Sequence, residues 1–279
     1  MAYQDRMRPL SQADPTTFSG VRFLLTDMDE TLTFRGRLSA RTYDALERLQ
    51  RAGVKVIPVT AAPAGWCDQM ARMWPVDGVI AENGGLFIAR SADGHGVRRR
   101  FWHADTERIA VDERLAAIRR QVEKAVPTAA VADDQPFRLT SLAFARPSDR
   151  AAAAAIAAAL AEAGADVTVN NLWVLGWLGG YDKLAMTRRV LADAFSTDID
   201  ADRDAVLYTG DSTNDAPMFA FFRHTVGVST VRAHLADIPV PPRWITAGPG
   251  RRRLRRGRRR GHRRPPRYVG PGTSVAPPR

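Results

Sequence analysis

Residues 21–31 read Val21-Arg22-Phe23-Leu24-Leu25-Thr26-Asp27-Met28-Asp29-Glu30-Thr31. A short apolar run preceded by Ser19 and Gly20 breaks abruptly into two aspartates around a methionine. A run of this length bounded by turn formers predicts a strand of a parallel sheet buried on both faces. Ligands of open α/β sheets gather beyond the carboxyl ends of the strands, so Asp27 and Asp29 are expected to project into a site. Two carboxylates one residue apart repel each other unless positive charge lies nearby, and a divalent cation is the natural partner. Alone, the same two residues also fit an Asp-rich turn that caps the next element.

The rest of the chain repeats the pattern. Ser39 opens a segment with Tyr43, Leu46 and Leu49 at helical spacing that stops at Gly53, and Val54 to Thr60 reads as a second strand. Strand, helix and strand joined by short connections imply a parallel pair with a right-handed crossover. Trp66 to Trp74 predicts a helix, and Gly78 to Ala81 a strand leading into Glu82-Asn83-Gly84-Gly85.

From there the character changes. Strands are expected at 86–89, 97–102, 137–145, 167–169 and 173–178, with helices at 105–126 and from Ser148 to Gly164. Hairpins and helices in that order predict an α+β unit inserted into the parallel domain. Asp182 to Phe195 returns to helix with Lys183 at its start. Ala205 to Thr209 is a strand ending in Gly210-Asp211-Ser212-Thr213-Asn214-Asp215, and 225–228 is the last expected core strand.

Composition narrows the class. The 279 residues are 45% hydrophobic and 25% charged, as in globular proteins with a sizeable core. Cys67 is the only cysteine, so no internal disulfide can form, and a reducing compartment, the cytoplasm, is expected. The longest apolar run, Ala151 to Ala161, is too short to span a bilayer. A net charge of +11 would suggest a nucleic-acid binder, but residues 251–279 hold twelve of the 41 basic residues and none of the 30 acidic ones. The remaining 29 basic residues are balanced, so the basicity belongs to the tail.

In order and spacing, Asp27-x-Asp29, Thr60, Lys183 and Gly210-Asp211-x-x-x-Asp215 resemble the motifs of the haloacid dehalogenase (HAD) superfamily of phosphohydrolases. The large insert between the second and third motifs is similar to the cap of the Cof-like, type IIB branch, which includes sucrose-phosphate and mannosyl-phosphoglycerate phosphatases. The resemblance spans roughly residues 20–247. It implies a Rossmann-like α/β core with an α+β cap: a flexible leader at 1–19, the core at 20–84 and 180–247, the cap at 85–179, and a disordered Arg/Gly/Pro tail at 248–279. It further implies a magnesium-dependent phosphatase acting on a small phosphorylated metabolite such as a sugar phosphate. Asp27 is then the nucleophile that becomes aspartyl-phosphate, and Asp29 the acid and base. Magnesium is held by Asp27, the Asp29 carbonyl and Asp211, with Asp215 near or in the shell. Thr60, Lys183 and Asn214 bind phosphate or support its loop.

Each residue has a structural reading as well: Thr60 as a helix cap, Asp211 to Asp215 as an ordinary loop. Lys183 near a helix N-terminus opposes the dipole, a cost an anionic partner relieves. Two departures from the family stand out. Glu30 occupies a position that is Gly in many members, and Ala61-Ala62 follows Thr60 where Gly-Arg is common. Arg98 to Arg100, Asn170, Asn171, Trp173 and Trp177 are cap residues that could meet a polar substrate, and Gly84-Gly85 and Gly179-Gly180 are expected hinges. The nearest alternatives are a phosphomutase of the same superfamily and nucleic-acid binding through the basic tail. The tail's composition also fits a shifted reading frame of a GC-rich gene.

Overall fold

The computed structural model describes residues 7–248. The expected disordered tail and the first six residues lie outside the described residues. In chain order the strands are β1 (Arg8–Pro9), β2 (Phe23–Thr26), β3 (Thr33–Phe34), β4 (Arg37–Leu38), β5 (Lys55–Pro58), β6 (Val79–Ala81), β7 (Leu86–Arg90), β8 (Val97–Phe101), β9 (Ser141–Ala145), β10 (Asp166–Val169), β11 (Trp173–Trp177), β12 (Val206–Gly210), β13 (His224–Gly227) and β14 (Trp244–Ile245). The helices are α1 (Ala40–Arg51), α2 (Ala64–Met73), α3 (Asp105–Ala125), α4 (Arg150–Glu162), α5 (Lys183–Phe195) and α6 (Ala216–Phe221).

A six-stranded parallel sheet in the order β1-β14-β13-β12-β2-β5 carries the core. Alternation along β2 explains its burial: Phe23 and Leu25 join one apolar cluster with Met186 and Val190 of α5 and Met218 of α6. Leu24 packs into the cluster on the opposite face, among Leu46 of α1, Val56 and Met70 of α2. A parallel strand covered on both sides must be apolar throughout.

Strand β2 is flanked by β12 and β5, so the chain order reverses there and the carboxyl ends of β2 and β12 lie side by side. The Asp27 amide donates to the Thr209 carbonyl at 2.8 Å, fixing the first aspartate beside the end of β12.

The insert forms a three-stranded antiparallel sheet, β10-β11-β9. One face packs under α3 and α4 through Leu115, Ile118, Ile156 and Leu160. The other presents Trp173, Leu175, Trp177 and Ala143 to Ala61 and Tyr181.

Four expectations are corrected. The leader is not free over its described part: β1 pairs with β14, Met7 is buried, and Phe18 packs edge-on against His224 and Trp244. The pair Trp244–Ile245 is a further core strand beyond 225–228, satisfied through β13. Asp149, not Ser148, caps α4, because its carboxylate accepts from Ala151 and Ala152 at 3.2 and 3.1 Å. The hairpin β7–β8 was expected in the cap, yet β6, β7 and β8 form one antiparallel sheet that Val59 joins to β5 by a parallel bridge to Ile80. Leu86 and Ile88 share a cluster with Leu46 and Val56 of the core, so a division that follows packing starts the cap after β8.

Candidate active site

Strand β2 ends in Asp27, β12 ends before Asp211, and the turn after β12 carries Asn214 and Asp215. One carboxylate oxygen each of Asp27, Asp211 and Asp215 lies within 4.8 Å of the others, and all three residues are buried. Lys183 opens α5, whose N-cap Asp182 accepts from the Ala185 amide at 2.7 Å. Its fully buried ammonium donates to Asp27 Oδ1 and Asp215 Oδ1, both at 2.7 Å. Burial favours the neutral amine, but the two carboxylates outweigh it and hold Lys183 above the ordinary lysine range.

Asp215 spends both oxygens inside the protein. Oδ1 takes Lys183 and the Tyr208 hydroxyl, while Oδ2 accepts from the amides of Asp211 and Ser212 at 2.9 and 3.0 Å. It thus ties lysine to turn, and it comes as close as this because Gly210 has no side chain: a Cβ there would lie 2.5 Å from the Asp215 carboxyl carbon. Asp27 Oδ2 has no hydrogen-bond partner among the described residues, and neither has the Asp29 carboxylate. Asp211 Oδ2 receives only the Thr230 hydroxyl, at 3.1 Å.

One ammonium cannot offset four carboxylates. Burial, opposed by Lys183 and reinforced by Glu30, pushes Asp29 up to about 6. Burial with Asp215 beside it pushes Asp211 up to about 7. Burial also drives Asp27 well above the carboxylate range against the pull of Lys183. Uncompensated negative charge around unfilled carboxylate lone pairs fits a hard divalent cation with oxygen ligands. The Asp29 side chain lies outside the side-chain cluster, compatible with its expected contribution through the carbonyl.

Thr60 follows β5, next to β2 in the sheet. Its hydroxyl oxygen accepts from the Ala62 amide at 3.0 Å, so it closes a small turn; the N-cap of α2 is Pro63. Asn214 accepts from the Ser212 hydroxyl at 2.6 Å and reaches Asn83 at 3.4 Å. Asp27, Asp29, Asp211 and Asn214, with Ala61, Ser212 and the cap loop 170–172, enclose a cavity of about 20 Å³. Thr60, Lys183 and Asp215 stand behind this wall and do not line it. A cleft of about 1010 Å³ adjoins it, sharing Asp29, Asn171 and Leu172.

Several proposed cap contacts are elsewhere. Arg98 to Arg100 lie on strand β8, where Arg99 pairs with Asp68 and Arg100 with Asp193 at 3.5 Å. Trp177 donates to the Tyr181 carbonyl and stacks on its ring. Asn170 does line the small cavity, and its Oδ1 also holds its own loop, accepting from Leu172 and Trp173 at 2.9 and 2.8 Å. Glu30 has φ +58°, left-handed backbone that explains why glycine suits the position, and its carboxylate accepts from the Arg35 amide at 2.8 Å.

Tyr208, Thr230 and Glu82 were missed. Glu82 has no local signal beyond its place before Asn-Gly-Gly. The buried carboxylate accepts from Ala64 N (3.0 Å), Leu139 N (2.8 Å), Thr140 N (2.8 Å), Thr140 Oγ1 (2.9 Å) and Ser141 Oγ (2.7 Å). It fastens the cap to the start of α2. Arg138, paired with Asp134 at 3.1 Å, adds a bond to the Ala61 carbonyl at 3.0 Å. At Gly85 a Cβ would sit 2.0 Å from Thr140 Oγ1, so close approach of cap and core is what this glycine provides here.

Residues 24–109 match the family model of haloacid dehalogenase-like hydrolases. No curated protein matches the chain. Among solved structures, Thermoplasma acidophilum 0175 aligns over 82% of this chain and 92% of its own, with TM-score 0.63 and 16% identity. BT1666 of Bacteroides thetaiotaomicron, described as a phosphatase of the HAD enzyme superfamily, aligns over 85% and 93%, with TM-score 0.55 and 21% identity. The subclass IIB sugar phosphatase BT4131 aligns over 82% and 94%, with TM-score 0.57 and 14% identity. Over residues 24–109 the chain is thus similar to haloacid dehalogenase-like hydrolases, and it shares the fold of these solved structures.

Proposed function

We propose that the protein is a magnesium-dependent phosphatase that hydrolyses a small phosphorylated metabolite, in the class of sugar phosphates, through an aspartyl-phosphate. The single observation that carries this reading is the free Oδ2 of Asp27, whose other oxygen is pinned by Lys183 beside a second, unfilled aspartate at the end of β12. A nucleophile must be held in place and yet keep a lone pair available.

Asp27 Oδ2 attacks phosphorus while the bond to the leaving oxygen breaks. Asp29, whose proton affinity burial raises, gives a proton to that oxygen. The carboxylate so formed then takes a proton from water, whose oxygen attacks the phosphoryl group and releases phosphate and free Asp27. Lys183, behind the cavity wall, neutralises charge on Asp27 and lowers the electrostatic cost of the incoming phosphate, Asn214 orients that phosphate, and Thr60 holds the turn beside it. Asp27, Asp211 and the Asp29 carbonyl would hold magnesium, with Asp215 supporting the shell through its hold on Lys183 and the Asp211 amide. When bound, magnesium supplies charge neutralisation and orientation of the phosphoryl oxygens.

The test is phosphate release over a panel of phosphorylated metabolites with magnesium, with Asp27→Asn alongside. Asp27→Asn should lower turnover by about 10⁴-fold or more. Unchanged activity in that variant overturns the nucleophile assignment. A phosphomutase would instead transfer the phosphoryl group when supplied with a bisphosphate activator.

A further inference from the structure

The two cavities meet at Asp29, which lines both, whereas Asp27 lines only the small one. A general acid must face phosphorus on one side and the leaving group on the other. The cleft of about 1010 Å³ is therefore where the leaving group sits. Pockets for small ligands run to roughly 1,000 Å³, so this one is far larger than a bare triose or hexose needs.

Its walls have a definite chemistry. Trp66, Met70 and Trp74 follow one another at intervals of four residues along and just beyond α2, and all three line the cleft. Trp66 leans on Trp173 of the cap, ring centroids 6.2 Å apart, and is nevertheless 40% exposed. Leu172, next in the chain to Trp173 and held by the Asn170 side chain, is 45% exposed in the same cleft. Large apolar groups left uncovered in a concave site mark a surface awaiting an apolar ligand.

We propose that the leaving group carries a planar aromatic ring, so that the substrate class is a nucleoside monophosphate, a phosphorylated sugar whose base covers Trp66 and Leu172. This rests on the phosphatase reading and narrows it. The ring stacks on the indole, the ribose hydroxyls and ring heteroatoms meet Gln69, Ser229 and Thr230, and the phosphate points past Asp29 toward Asp27.

The experiment compares AMP with ribose 5-phosphate, which differ in the base. In the full-length protein with magnesium, kcat/KM for AMP is expected to exceed that for ribose 5-phosphate by about tenfold or more, the size of one base–aromatic stack. Trp66→Ala should bring the ratio close to one, while Ile109→Ala, an exposed residue of α3, leaves it unchanged. Binding is measured separately by calorimetry with Asp27→Asn: AMP should bind about tenfold more tightly than ribose 5-phosphate. Equal affinity for the two in that variant, or no binding of AMP, overturns the proposal. Preferred binding of AMP without phosphate release from any member of the panel by the wild-type protein overturns the phosphatase reading and leaves the ring site standing. Asp27-dependent release that favours ribose 5-phosphate does the reverse.

Discussion

Two buried carboxylate centres lie on either side of the Ala61–Ala64 turn, and they are built in opposite ways. At the end of β2 and β12, four aspartates gather around one lysine that bonds two of them, and Asp27 and Asp29 keep oxygens without partners among the described residues. At the joint between core and cap, Glu82 alone takes five donors, and Asp134 has Arg138 wrapped around it. A fully satisfied buried carboxylate is structural, because every lone pair already has its proton donor. An under-satisfied one keeps bonding capacity for ligand, metal or substrate, and the fold bears the electrostatic cost.

The largest separation between the centres should come from Lys183→Met. Phosphate release should fall by about 10³-fold or more, because Lys183 is the one side-chain cation bonded to Asp27 among the described residues. Urea unfolding of the metal-free variant should show a loss of about 3 kcal/mol or more, since removing one partner of a buried pair strands the other charge. Magnesium should restore part of that loss. A variant that keeps wild-type turnover would erase the distinction drawn here.

Glu82→Gln tests the other centre with the opposite profile. The amide keeps the shape but sets two donors against groups that themselves donate, costing about 1–3 kcal/mol of stability. Turnover at temperatures well below the melting point should change less than for Lys183→Met. If turnover falls as far while stability holds, Glu82 belongs to the chemistry.

The smallest effect is a pH dependence. Asp29 and Asp211 are raised from 3.8 in the unfolded chain to about 6 and about 7. The folded protein therefore holds more protons than the unfolded one between those limits, so stability is highest below the unfolded value and is lost as pH rises through the folded ones. Melting of the metal-free protein should move up on going from about pH 8 to about pH 5, and Asp211→Asn should flatten that slope. Saturating magnesium favours the ionised carboxylates and should remove most of the difference. A slope of opposite sign would mean the centre is already neutralised.

The aspartate centre is far more legible in the sequence than the Glu82 centre. Asp27, Thr60 and Asp211 each follow a short apolar strand, and the alternation of strand and helix that buries those strands also brings their ends together. What the pattern could not carry is partnership. Lys183 meets residues 156 and 32 positions away, and Glu82 meets residues 57 to 59 positions on, pairings set by how cap and core dock rather than by local spacing. The two-residue strands β1 and β14 are too short to show any period. The arginines of β8 looked like substrate contacts because charge clusters draw attention. On a strand that pairs on one side only, they discourage pairing with another chain.

The parallel pairing of β1 with β14 has a practical side. Both strands run in the direction of β2, and the register sets Arg8 and Trp244 level with Thr26, so the two short strands lie at the end of the sheet where the aspartates stand. Thr246 follows at once and accepts from the amide of Ser229, a residue of the large cleft. A reporter, affinity handle or immobilisation linker joined after Gly248 would thus start beside the large cleft.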